Sequence, residues 1–475
     1  MTATSPTTPQ KIDSSCRRPL FALFGGAAVW LALSSVFGLL ASIKFHAPGF
    51  HADCVGFSYG RVYPAWSNLL VYGFCIPAGL GVGVWLLARL GRVELRRPWL
   101  VTVGAKLWHL GVFVGLIGIL HGDSTGHEWL EMPRYAAVIL FFAFLLIALW
   151  AFVTSHERVE RALYPSQWFV LAALFWFPWI YSTATLLLQF FPVRGLVQSS
   201  VAWWFSGNLL NVWLPLAGLA STFYFVPKLA GRPLQSHYLA LFAFLTLILF
   251  GTWTGIPAHV PLPAWMPSLS GAAGVMALVP ALAVVVSFIL TMRGGTKPQR
   301  PGTPLCFTTF GVWSLVFAAA MLAASAVPEI SRVTNFTWFG DAQTRLLLYG
   351  FFAMTMFGAA YYILPRVSGI AICPNRIRAH FWLNVAGVFL LTVFLAIAGV
   401  KQGFGLLNAE IPFPEVSKST LMFFRISTVG EFLLLVGNLL FLFNIAAMLV
   451  SYCRAVCKAA YADATAQFEP VGVQP

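Results

Sequence analysis

The chain has 475 residues, of which 59% are hydrophobic and 9% charged, and its formal net charge is +14. A soluble domain carries about 25% charged residues, so a string of soluble domains is excluded and one membrane-embedded body is expected. The Lys and Arg residues lie in short loops between apolar runs, so they report topology and exclude nucleic acid as an expected partner.

Apolar segments of about 20 residues, the length that crosses roughly 30 Å of hydrocarbon, fall near 20–43, 64–88, 100–121, 134–154, 166–190 and 200–226. Six more fall near 237–256, 268–292, 305–327, 344–364, 380–400 and 421–451. The first is long enough to span and reads as a membrane helix, not a cleavable leader. This divides the chain into a tail over 1–19, a twelve-helix membrane domain over 20–452 and a second tail over 453–475. Met1–Asp13 and Asp463–Pro475 are polar or Pro-containing and are expected to be mobile. With twelve spans, nineteen of the 29 Lys and Arg fall on the face that carries both termini. Nine fall on the other face, and Lys106 lies inside a span. The excess marks the first face as cytoplasmic. The seven cysteines show no C-x-x-C or zinc-like spacing. Cys453 and Cys457 read either as small residues at a helix end or as lipidation sites.

Five stretches carry a resemblance. Trp203–Lys228 reads WWFSGNLLNVWLPLAGLASTFYFVPK. Gly126–Glu131 reads GHEWLE, and Trp253–Trp265 opens on WTG and closes on LPAW. Tyr361–Arg366 reads YYILPR, and His380–Gly403 begins HFWLN and ends GVKQG. In this order they resemble the catalytic subunit of cbb3-type heme-copper oxidases, whose sixth helix begins WWYGHN and ends YYFVPK. The resemblance implies an all-α bundle of twelve transmembrane helices in a bacterial cytoplasmic membrane.

It also implies six histidines: two axial ligands of a low-spin heme, one of a high-spin heme, and three for copper. Imidazole suits both metals because its neutral nitrogen coordinates near pH 7. Aligned by these landmarks, every such position differs. Trp66 stands at a heme-ligand position in the second helix, and Gln343 and Arg345 at the two in the tenth. Gly207, Pro257 and Ala258 stand at the copper positions, and Gly251 at the catalytic tyrosine. No histidine lies between His259 and His380, so a register slip supplies no imidazole to the tenth helix. The expectation is a chain without heme or copper, whose many Phe and Trp residues fill volume that porphyrins would take.

The remaining polar residues differ in the readings they allow. Lys106 and His109 share a helical face within a span, as an intramembrane polar site or as satisfied interior or interfacial groups. Asp123, His127, Glu128 and Glu131 form a partner surface, a calcium site implied by the resemblance, or an ordinary solvated loop. His259 is an isolated histidine and a weak metal ligand, and His380 matches a structural position. Glu431, mid-span, is a relay group or a carboxylate paired across helices.

The function expected is a cofactor-free subunit that structures, assembles or positions partners in a membrane respiratory complex. Membrane lipid and a membrane-anchored c-type cytochrome or another oxidase-like subunit are the expected partners. One alternative is a transporter or proton conduit using Lys106, Asp341, Arg345 and Glu431. The other is an active cytochrome c oxidase or nitric oxide reductase-like enzyme.

Overall fold

The computed structural model describes residues 8–51, 53–293 and 302–466. Among them the chain is helical with no strand, as expected where backbone polar groups must be satisfied without water. Eleven helices are long and apolar enough to cross a membrane: α1 (Pro9–His46), α2 (Tyr59–Gly91), α3 (Pro98–His121), α4 (Arg134–His156), α5 (Pro165–Phe190) and α6 (Leu196–Ala230), then α8 (Trp265–Arg293), α9 (Thr303–Ala326), α10 (Trp338–Ser368), α11 (Pro374–Leu407) and α12 (Phe413–Ala466). Between α6 and α8 lies the shorter apolar helix α7 (His237–Gly251), which completes twelve. It stops short of the expected residue 256 because Gly251 begins a turn that continues through Gly255, whose φ of +109° suits only glycine.

Three helices form the inner layer. Nearly all of the apolar stretch of α2, α6 and α10 is buried, whereas the others bury about half and turn the rest outward. The outward faces carry large apolar side chains such as Phe113, Phe142, Phe175 and Phe389, as a surface solvated by lipid requires. Inside, Tyr72, Trp108, Phe144, Phe177 and Trp213 form a linked aromatic cluster. Trp108 Nε1 donates to the Tyr72 carbonyl at 2.7 Å. Such buried rings supply large contact areas, and the Tyr72 hydroxyl donates to the Trp129 carbonyl at 2.6 Å.

Both tails differ from expectation. Pro9–Asp13 belong to α1: Ile12 is buried, and Asp13 accepts from Trp85 Nε1 at 2.9 Å and pairs with Arg89 at 3.6 Å. These contacts tie down a segment that looks unattached in sequence. At the other end α12 runs on through Cys453 and Cys457 to Ala466, over an Ala-rich stretch of high helix propensity. Met1–Thr7 and Gln467–Pro475 lie outside the described residues, as do Lys297 and Arg300 of the charge count.

Candidate functional site

Each inner helix contains a π-helical stretch, and each stretch begins just after a position of interest. Leu69–Cys75 in α2 follows Trp66, Leu209–Trp213 in α6 follows Gly207, and Leu346–Ala353 in α10 follows Arg345 directly. A π-turn widens the helix and re-aims the side chains around it, and it is frequent at functional sites. A fourth, Leu186–Phe190, ends α5.

Trp66 and Arg345 meet. The Arg345 guanidinium carbon lies 4.0 Å from the Trp66 ring centroid. Its Nε donates to Asp341 Oδ2 at 2.7 Å, one helical turn earlier, and its Nη1 pairs with Glu431 Oε1 on α12. Trp66 Nε1 donates to the Tyr349 hydroxyl at 2.9 Å, and the Tyr63 hydroxyl donates to Asp341 Oδ1 at 3.1 Å. From α1, a Cβ on Gly38 would stand 2.7 Å from the Trp66 ring, so that helix closes the remaining side. Arg345 and Glu431 are 1% and 0% exposed. Two carboxylates therefore face one guanidinium within this buried group.

A low-spin heme does not fit here. A low-spin heme iron would need a lone pair, from an imidazole nitrogen or a thioether sulfur, on each side. Indole and guanidinium are donors only, and at 4.0 Å they leave no gap for a ring between them.

Adjoining this group, a cavity of about 1200 Å³ is lined by Gly207, Pro257, Ala258 and Gln343, which α6, the Thr254–Leu262 turn and α10 bring together. A Cβ on Gly207 would come within 2.3 Å of the Thr254 carbonyl oxygen and 2.9 Å of Gly255 Cα. A Cβ on Gly251 would lie 2.9 Å from the Asn211 carbonyl oxygen. Backbone packs on backbone at both glycines, so neither position has room for an imidazole or a phenol. Copper does not fit this donor set either, because Gly, Pro and Ala present no ligating side chain. His259, at the cavity edge, has its Nε2 3.1 Å from the Ser331 hydroxyl.

The loop between α3 and α4 splits the four residues grouped in sequence. Glu131 turns inward, 6% exposed, and accepts from Asn68 Nδ2 at 2.7 Å. It is thus no part of an accessible surface. Burial raises its carboxyl to a pKa of about 7, against the lowering effect of the Asn68 bond. Glu128 stands on the cavity wall, where desolvation by the surrounding protein first and the Asp341 charge second raise its pKa, and a hydrogen bond from Trp129 lowers it. Burial lowers the His127 pKa, and Asp123 takes a hydrogen bond from Tyr135 at the loop's outer edge. Among the described residues, no three His, Cys, Asp or Glu side chains gather as a metal group.

Lys106 and His109 also separate. Lys106 is exposed on the outside of α3. His109 packs on α1, where Trp30 Nε1 donates to its Nδ1 at 3.1 Å and its Nε2 lies 3.1 Å from the Ala22 carbonyl. His380 is fully buried, with its Nδ1 3.0 Å from the Tyr361 hydroxyl. Tyr63 and Tyr349 are the residues that sequence reasoning missed. The spacings Tyr63–Trp66 and Asp341–Arg345, each about one helical turn, were the available signals.

Residues 18–433 match the family model for cytochrome c and quinol oxidase polypeptide I. The chain belongs to this family, that of subunit I of the heme-copper oxidases, and is a multi-span membrane protein. It is 24% identical to a cytochrome c oxidase subunit 1 homolog of Azorhizobium caulinodans, over 90% of this chain and 80% of that one. The identity is also 24% to the cbb3-type cytochrome c oxidase subunit CcoN1 of Stutzerimonas stutzeri, covering 79% and 81%. It is 22% to a nitric oxide reductase subunit of the same organism, covering 86% and 90%. A solved heme-copper terminal oxidase dimer shares the fold, with a TM-score of 0.71 at 14% identity over 91% of this chain and 84% of that one.

Proposed function

We propose that this chain is a cofactor-free member of its family, with a structural, assembly or partner-positioning role in a membrane respiratory or electron-transfer complex. One observation carries the reading. Trp66 and Arg345, which the resemblance puts at two of the heme-ligand positions, stack on each other and are locked by Asp341, Glu431 and Tyr349. A residue left over from a lost cofactor would not need three such partners; this group is built to hold the helices together without one. The outer faces of the bundle stay available for a membrane-anchored c-type cytochrome or an oxidase-like subunit. The charge asymmetry of the loops supports cytoplasmic termini in a bacterial inner membrane, with residues 20–452 as the membrane domain between two terminal tails.

The test is an absorbance spectrum and metal analysis of the purified, isolated chain. The expected result is no Soret band and no copper. Stoichiometric heme would overturn the proposal and return the chain to redox chemistry.

The buried ion group also favours a second reading, ion or proton conduction through Asp341, Arg345 and Glu431. Lys106, on the outer face of α3, is no part of that route. Proteoliposome flux that Glu431→Gln abolishes would support conduction, and no flux under any applied gradient would eliminate it.

A further inference from the structure

We propose that the cavity beside α10 binds a small organic cation, an amine or quaternary ammonium compound. The inference rests on the reading that no porphyrin occupies this space.

The first argument is charge. The chain carries 29 Lys and Arg against 15 Asp and Glu, yet the described residues lining the cavity include Glu128 and Asp341 and not one Lys or Arg. Behind Asp341, the Arg345 guanidinium is shared with Glu431, so one cation answers two carboxylates there and Glu128 adds a third. A cavity walled in this way repels anions and lowers the energy of a cation placed inside it.

The second argument is the aromatic wall. Tyr63, Trp129, Trp203 and Trp338 line the same space. Ring faces attract cations through their quadrupoles, most strongly where water is excluded, and they suit a weakly hydrated ammonium better than a hydrated metal ion. The third is an uncommitted polar group. Among the described residues nothing hydrogen-bonds the Gln343 side-chain amide, which stands on the cavity wall where a family member would have a ligand. Its carbonyl oxygen can accept from an N–H or O–H of the guest. The volume of about 1200 Å³ exceeds the ~300–1000 Å³ of ordinary small-molecule sites, so the guest keeps some water with it.

The experiment uses the full chain in detergent and isothermal titration calorimetry, with two probes: choline and its uncharged carbon isostere, 3,3-dimethylbutan-1-ol. Choline should bind saturably, one per chain, and the isostere at least about tenfold more weakly. Glu128→Gln should weaken choline binding by a similar factor, while Glu128→Asp, which keeps the charge, should largely preserve it. Ala258→Trp, which fills the cavity from a turn, should abolish it. Absence of saturable choline binding, equal binding of the isostere, or indifference to Glu128→Gln would overturn the proposal. An absorbance spectrum of the same sample separates the two readings. Heme present sinks both, whereas no heme and no choline binding sinks this one alone.

Discussion

Removing the Arg345 charge tests the most consequential feature of the structure. The guanidinium is 1% exposed and holds Glu431, which is 0% exposed, and Asp341, whose side chain is 15% exposed. Arg345→Met keeps most of the side-chain length and deletes the charge. Glu431 is then an uncompensated buried carboxylate whose Oε2 already lacks a partner. Breaking a buried pair from one side costs about 3–5 kcal/mol, and losing the cation on the Trp66 ring adds up to ~2 kcal/mol. Glu431→Gln should cost less, because Arg345 retains Asp341. The double variant removes the cation and one carboxylate together. Asp341 keeps the Tyr63 hydroxyl and its contact with the cavity, so the double variant should recover about 2 kcal/mol relative to Arg345→Met. The four proteins can be compared by denaturant titration in detergent, read by tryptophan fluorescence, as a double-mutant cycle. An Arg345→Met cost under about 1 kcal/mol, or strictly additive costs in the double variant, would refute the claim that this group replaces a cofactor as the bundle's fastening.

Two other predictions concern the packing around the site. Gly207→Ala places its Cβ 2.3 Å from the Thr254 carbonyl oxygen, a backbone atom that cannot swing away, whereas nothing lies within 4 Å of a Cβ on Gly126. Overpacking at Gly207 should cost about 1–3 kcal/mol and Gly126→Ala should leave the melting temperature unchanged; equal melting of the two variants would refute the tight α6 contact. For Glu131 the sign is set by a folded-state pKa of about 7 against an ordinary value of 4.5. The folded protein holds the extra proton, so this group's contribution is complete below about pH 4.5 and is lost as pH rises through 7. The shift bounds the loss at roughly 3 kcal/mol. Wild-type melting temperature should therefore fall between about pH 5 and 8, and Glu131→Gln should flatten that slope and be the more stable protein at the alkaline end.

How much of this was legible in the sequence depends on whether the information was periodic or relational. The twelve apolar segments were readable because bilayer thickness fixes their length, and only α7 came out shorter than its hydropathy suggested. The identities of Trp66, Gln343 and Arg345, and the lack of any histidine between His259 and His380, were readable because a residue type is either present or not. What the sequence could not show is that Trp66 and Arg345 touch, since they lie in separate helices and no hydropathy pattern encodes which side chains of two helices meet. Glu431 illustrates the same limit: an intramembrane carboxylate signals that a partner exists without saying which of several cations it is. Gly207 and Gly251 look like simple deletions of ligands, yet each is a place where two backbones meet. That contact is a barrier to any larger side chain. Placing histidine at Gly207 would have to push apart α6 and the Thr254–Gly255 turn, and placing it at Arg345 would strand two carboxylates. Both positions are packed around their present residues, so a single histidine at either should destabilise the fold before it could hold a metal.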